Sequence, residues 1–217
     1  MPPFTPAVRA LLIANGVAFL LQWLLGEAFT MHLALWPLGS AGLVAGGGFM
    51  PWQLLTSGFL HASIGHLFFN MLALWMFGAP LELVWGQKRF LTFYFVCLLG
   101  AALCQLVVAS WLLREGQLAT TIGASGGVFG VLLGFGMVFP EQRLVIFPIP
   151  VPIRARWAVV VFGAAELLFA WTGWQPGVAH FAHLGGLLFG WLLIRYWRGQ
   201  PPFGRGGGRR PPLRSVR

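Results

Sequence analysis

Four residues of this chain combine side-chain chemistry with telling neighbours. His66 and Asn70 stand at i and i+4, on one face of any helix that contains both. Ser125 lies in the run Gly123-Ala124-Ser125-Gly126-Gly127, and His183 opens the pattern Ala182-His183-x-x-Gly186-x-x-x-Gly190. A serine hydroxyl with an imidazole in hydrogen-bond reach is the pairing that nucleophilic catalysis uses. The chain has no Asp, and its acids are Glu27, Glu82, Glu115, Glu141 and Glu166, which excludes a Ser-His-Asp triad in its usual form. Each feature also has a purely structural reading. Glycines four apart (Gly126/Gly130/Gly134 and Gly186/Gly190) mark tight helix packing in membranes. A buried serine bonds its own helix, and a buried histidine pairs with a neighbouring one.

The elements that carry these residues are membrane spans. Of the 217 residues 58% are hydrophobic and 9% charged, with mean hydropathy +0.78, against about a quarter charged in a soluble domain. A water-soluble globule of this size cannot hide so much apolar side chain, so soluble and disordered classes are excluded. Six apolar stretches stand out at 7–25, 66–85, 90–113, 125–139, 157–171 and 180–197. The first follows Arg9 and lacks a nearby A-x-A-like site, so it reads as a membrane helix in place of a signal peptide. The segment 26–65, with Gly46–Gly48, is too interrupted to span and reads as an interfacial loop. Cys97 and Cys104, seven apart in one stretch, read as small apolar side chains on one helix face.

With both termini in the cytoplasm, 13 of the 14 cations fall inside and only Arg114 outside, which selects six spans. The expected fold is therefore an all-α integral membrane protein, a compact six-helix bundle over 1–197. A basic Pro/Gly/Arg tail over 198–217 buries nothing, is expected to be disordered and touches anionic lipid; nucleic acid is not an expected partner. Thirteen Arg against one Lys suggest a GC-rich bacterial genome, hence a multi-pass protein of the bacterial inner (cell) membrane.

Topology also sets depth. Spans two, four and six descend from the outside, and Asn70, Ser125 and His183 stand 12, 15 and 12 residues from the cytoplasmic ends at Glu82, Pro140 and Arg195. That is roughly 18–23 Å for all three at the helical rise, or roughly 10 Å below the outer surface. Charge counting took no account of these residues, yet it brings them to one level facing the outer side.

Taken together these residues resemble the rhomboid intramembrane serine proteases over nearly the whole chain except its basic tail. The motifs are Gly123-Ala124-Ser125-Gly126, Ala182-His183-x-x-Gly186-x-x-x-Gly190, and His66-x-x-x-Asn70 following Leu55-Thr56-Ser57-Gly58-Phe59-Leu60-His61. Leu74-Trp75-Met76-Phe77-Gly78 and Glu82 are similar to the family's second helix. The resemblance implies a six-helix bundle with a short central fourth helix, Ser125 as nucleophile and His183 as general base. His66, Asn70 and the Ser125 N–H would form the oxyanion site. Gly126, Gly186 and Gly190, with Gly123 before the serine, would allow close helix approach, and 172–179 would cap the site. Where the family often has Trp-Arg in the first loop, this chain has Trp52-Gln53. Where a Tyr can stack on the base, it has Phe129, which keeps the ring.

The implied activity is endopeptidase cleavage of single-span membrane proteins near the outer end of their helix, by a Ser-His dyad whose imidazole is oriented by packing on Phe129. Substrates would carry a helix-weakening stretch at that end, because intact helices tie up their carbonyls. Glu166, nine residues past Trp157, is expected mid-bilayer, neutral or paired within the bundle and outside the chemistry. His61 and His180 are expected at the outer interface, and His32 in the first loop. With few acids and no His/Cys cluster, no metal or cofactor is expected. The alternatives are a non-catalytic rhomboid-like protein that binds membrane clients, marked by loss of the Ser or His, and a small transporter, marked by an internal repeat. Both residues are present, and no repeat is found.

Overall fold

The computed structural model describes residues 2–146, 149–174 and 178–202. Most of the expected tail, 203–217, lies outside them. Seven α-helices follow in order: α1 Pro6–Leu33, α2 Gln53–Thr56, α3 Ile64–Trp85, α4 Gln87–Arg114, α5 Ser125–Val138, α6 Ala155–Thr172 and α7 His180–Arg198. The all-α expectation needs one correction. An antiparallel hairpin, β1 Arg143–Ile146 and β2 Ile149–Arg154, joins α5 to α6.

The six expected stretches all appear as helices, but only four described helices are long and apolar enough to cross a membrane: α1, α3, α4 and α6. At 14 residues α5 is about 21 Å long, short of a hydrocarbon core of about 30 Å. α7 has 19 residues but carries His180, His183, Arg195 and Arg198. The outward faces are apolar, with Trp171 91%, Trp23 78% and Val107 70% exposed, which suits lipid and not water. At the expected end of the first span, Gly26 adopts φ +75° and breaks the α1 helix geometry, so the remainder to Leu33 runs on a new course.

α5 is the central helix, packed against α3, α4, α6 and α7. Glycines set its distances. A Cβ at Gly186 would overlap the Gly126 carbonyl oxygen, and one at Gly126 would overlap the Ala101 side chain of α4. Gly190 faces Cys97 and Phe93 of α4 as well as Leu133 of α5. The small residues thus join three helices, where two were expected. Cys97 and Cys104 do share a face of α4, against Gly190 and Gly185 of α7.

Both ends of the described chain lie at one end of the bundle. Glu82, near the end of α3, accepts from the backbone N–H of Ala7 (2.8 Å) and Val8 (2.9 Å) and from the Thr5 hydroxyl, capping α1 through its carboxylate. Arg89 stacks on Trp197 at 4.2 Å, and Arg198 donates to the Met137 carbonyl oxygen at 3.4 Å. Arg114 lies at the other end of α4.

The first loop, between α1 and α3, is anchored by the residue that replaces the expected arginine. Gln53 is buried, accepts from the N–H of Trp36 (3.2 Å) and Met50 (3.1 Å), and donates to the carbonyl oxygens of Gly48 (3.0 Å) and His32 (3.3 Å). Leu35 pairs with Thr121 through two backbone bonds of 2.9 Å, and the Gly123 N–H donates to Ser57 O at 2.9 Å. The loop therefore holds the strand of chain that leads into Ser125. His61, just before α3, is buried against His66, ring centroids 5.0 Å apart.

Replacing Gln53 with Ala strands the buried Trp36 N–H and Gly48 carbonyl and is expected to cost about 1–3 kcal/mol, read from unfolding in detergent. Burial, reinforced by His66, lowers the His61 pKa from 6.5 to about 4. The unfolded chain then binds a proton near pH 6.5 that the folded chain refuses until about pH 4. This contribution to stability is present above pH 6.5 and is lost as pH falls toward 4. The melting temperature should drop across that window, and drop less in His61→Phe.

Candidate active site

Ser125 is the first residue of α5, so its N–H is one of the unpaired donors at the positive end of that helix. Gly123, two residues earlier, has φ +135°, and a Cβ there would stand 2.9 Å from His66 Cε1. Only glycine satisfies both the backbone turn and the approach of the imidazole. His183 lies in the first turn of α7, and the Gly126/Gly186 contact brings α7 against α5 at that height. The result is a hydrogen bond of 2.7 Å between His183 Nε2 and Ser125 Oγ. Phe129 stacks on the His183 ring at 4.3 Å with an interplanar angle of 6°, so the ring contact survives without the tyrosine hydroxyl.

On the other side of the serine, α3 supplies His66 and Asn70. The Ala62 N–H donates to His66 Nδ1 (3.3 Å), which leaves the proton of a neutral His66 on Nε2, the nitrogen toward Gly123. Asn70 Nδ2 donates to the His66 carbonyl oxygen at 2.9 Å and retains its second N–H. His66, Asn70, Ser125 and His183 all line one cavity of about 350 Å³, with Thr121 and Ile122 on one rim and Val178 and Ala179 on another. The four residues singled out by their chemistry therefore line one cavity. Residues 175–177 of the expected capping segment lie outside the described residues.

One residue was misplaced by sequence reasoning. Glu166 is not remote from the site: its Oε2 lies 2.6 Å from His180 Nδ1 and 3.0 Å from His183 Nδ1. The contact with His180 is a hydrogen bond, whereas the His183 contact lies off the ring N–H direction. His180, the first residue of α7 and buried, also places Nε2 3.2 Å from the Trp174 carbonyl oxygen. Counting Glu166 upward from Trp157 put it in mid-bilayer. Since α6 ends at Thr172, six residues on, Glu166 is only about 9 Å from that end of the helix, beside His183. Glu166, His180 and His183 hold their donor atoms within 4.8 Å of one another, a side-chain cluster that the sequence reading did not anticipate. An acidic residue within an apolar span was the available signal, since such residues need partners.

A family model, the rhomboid domain, matches residues 48–199. The chain is 34% identical over 154 residues to Rhomboid protein 1, mitochondrial, of Saccharomyces cerevisiae, covering 66% of this chain and 42% of that protein. It is 32% identical to Presenilin-associated rhomboid-like protein A, mitochondrial, of Danio rerio (69% and 39% covered). It is 26% identical to Rhomboid-like protease 3 of Toxoplasma gondii (85% and 66% covered). The match thus spans about two fifths of the length of the first two relatives. Those two are mitochondrial proteins by name, which overturns the expectation of a bacterial cell membrane drawn from the arginine excess. An excess of Arg over Lys reports codon usage, not compartment. Motifs, site geometry and matched segment agree: the chain belongs to the rhomboid family.

Proposed function

We propose that the protein is an intramembrane serine endopeptidase that cleaves single-span membrane proteins near one end of their transmembrane helix. The observation that carries this reading is the 2.7 Å bond between Ser125 Oγ and His183 Nε2 at the floor of a cavity lined by further polar side chains. The same reading takes 1–197 as a six-span membrane domain, with both ends on the cation-rich side and the cavity opening toward the other. The remaining basic segment, 198–217, is a tail for anionic lipid.

Hydrolysis within a bilayer requires water, an activated nucleophile and stabilisation of the anion. The short α5 starts below the surface, so the space above Ser125 admits water. His183 Nε2 removes the Ser125 proton as Oγ attacks the scissile carbonyl, then delivers it to the leaving amine; water repeats the sequence on the acyl-enzyme. The developing oxyanion is met by the Ser125 N–H, the His66 Nε2–H and the free Asn70 N–H, beside the positive end of α5. Gly123, Gly126, Gly186 and Gly190 hold the helices at the separation this geometry needs. A substrate helix must unwind to expose its carbonyl, so Gly, Pro or small polar residues near its end favour cleavage.

In proteoliposomes containing a single-span substrate, wild type is expected to cleave, and Ser125→Ala and His183→Ala to fall to background. Asn70→Ala should retain the fold and lose roughly 100-fold in kcat, the typical loss for one side-chain donor to an oxyanion. Replacing the substrate's helix-weakening stretch with leucines should abolish cleavage by wild type. A folded wild type that binds the substrate and leaves it intact would favour client binding without catalysis.

A further inference from the structure

We propose that Glu166 is a positioning residue for the catalytic base: its carboxylate, held in place by His180, fixes the proton of His183 on Nδ1 and stabilises the imidazolium formed during attack. This rests on the protease reading above. The carboxylate Oε2 is 3.0 Å from His183 Nδ1, on the side of the ring opposite the Ser125 bond. A neutral histidine carries one ring proton. With an anion at Nδ1 that proton resides there, and Nε2 presents the lone pair that a general base requires. When Nε2 takes the Ser125 proton, the ring becomes cationic next to the carboxylate, and no proton needs to move to Glu166.

His180 explains how a charged Glu166 is tolerated in an apolar span. Both nitrogens of His180 face acceptors, Glu166 Oε2 at 2.6 Å and the Trp174 carbonyl oxygen at 3.2 Å, so the protonated ring donates to both and the neutral ring donates to Glu166 with its single proton on Nδ1. All three side chains are buried. The bond to His180 also aims the carboxylate, which explains why it meets His183 off the N–H line. One acid is shared by two imidazoles, one that anchors it and one that uses it. Glu166 on α6 and His180 and His183 on α7 are separated by 14 to 17 residues, and the antiparallel return of the chain between these helices brings them together.

The titratable groups facing His183 are Glu166 from α6, His180 from α7 and His66 from α3. Removing the only anion among them disfavours protonated His183, so the acidic limb of the pH–rate profile should move to lower pH. The test compares wild type, Glu166→Gln, Glu166→Asp and His180→Asn on one transmembrane peptide substrate in detergent, with kcat and KM measured from pH 5 to 9 and the melting temperature followed for each. For Glu166→Gln we expect kcat down about 10- to 100-fold, KM changed less than threefold, and the acidic limb displaced toward lower pH. Glu166→Asp should restore part of the rate, and His180→Asn should lose less than Glu166→Gln.

A Glu166→Gln protein with kcat within threefold of wild type and an unmoved limb overturns the proposal. So does a loss of rate that tracks lowered melting temperature with no displacement of the limb in any variant. If wild type itself does not cleave, the protease reading falls and this proposal with it.

Discussion

The site depends on how closely α5 and α7 can approach. Where Gly186 faces the Gly126 carbonyl there is no room for a side chain on either helix, and beside that contact Ser125, next to Gly126, and His183, about one turn before Gly186, reach each other at 2.7 Å. In hydrocarbon no hydrophobic effect drives helices together, so association rests on dispersion and on internally satisfied polar groups. Backbone proximity supplies both. The α5–α7 contact also presses Gly126 against Ala101, which fixes α5 on α4 and makes the short helix the axis of the bundle.

A second constraint is that every polar group admitted to the interior needs a partner. Glu82 meets it by capping α1 and fastens the first helix to the third. Gln53 meets it with a neutral amide that both donates and accepts, so the first loop is tied down without a buried charge to desolvate. Glu166 meets it with two imidazoles, one of which faces the nucleophile. The three anchors lie at different heights and use the same economy of means: one side chain, several buried partners.

Much of this was legible in the sequence. Hydropathy located α3 to α7 within a few residues and α1 up to its break at Gly26, and counting from the charged ends assigned Asn70, Ser125 and His183 one depth because helical rise is fixed. The i, i+4 spacing of His66 and Asn70 and the glycine intervals are local properties of one helix, and they held. What escaped were relations between elements. Glu166 and His180 meet only because α6 packs against α7, a relation that counting along one span does not reveal. The hairpin at 143–154 escaped because its short alternating strands contain Pro150 and Pro152 and resemble a loop. Gln53 escaped because its four partners come from three separate parts of the chain.

Central to this account is that Ser125 is a nucleophile activated by His183. The most direct measurement is mass spectrometry of the intact chain and its peptides after exposure to a fluorophosphonate in mild detergent. We expect a single adduct on Ser125 that is absent from the folded His183→Ala variant. An unmodified Ser125 in folded wild type, or equal modification with and without His183, would contradict it.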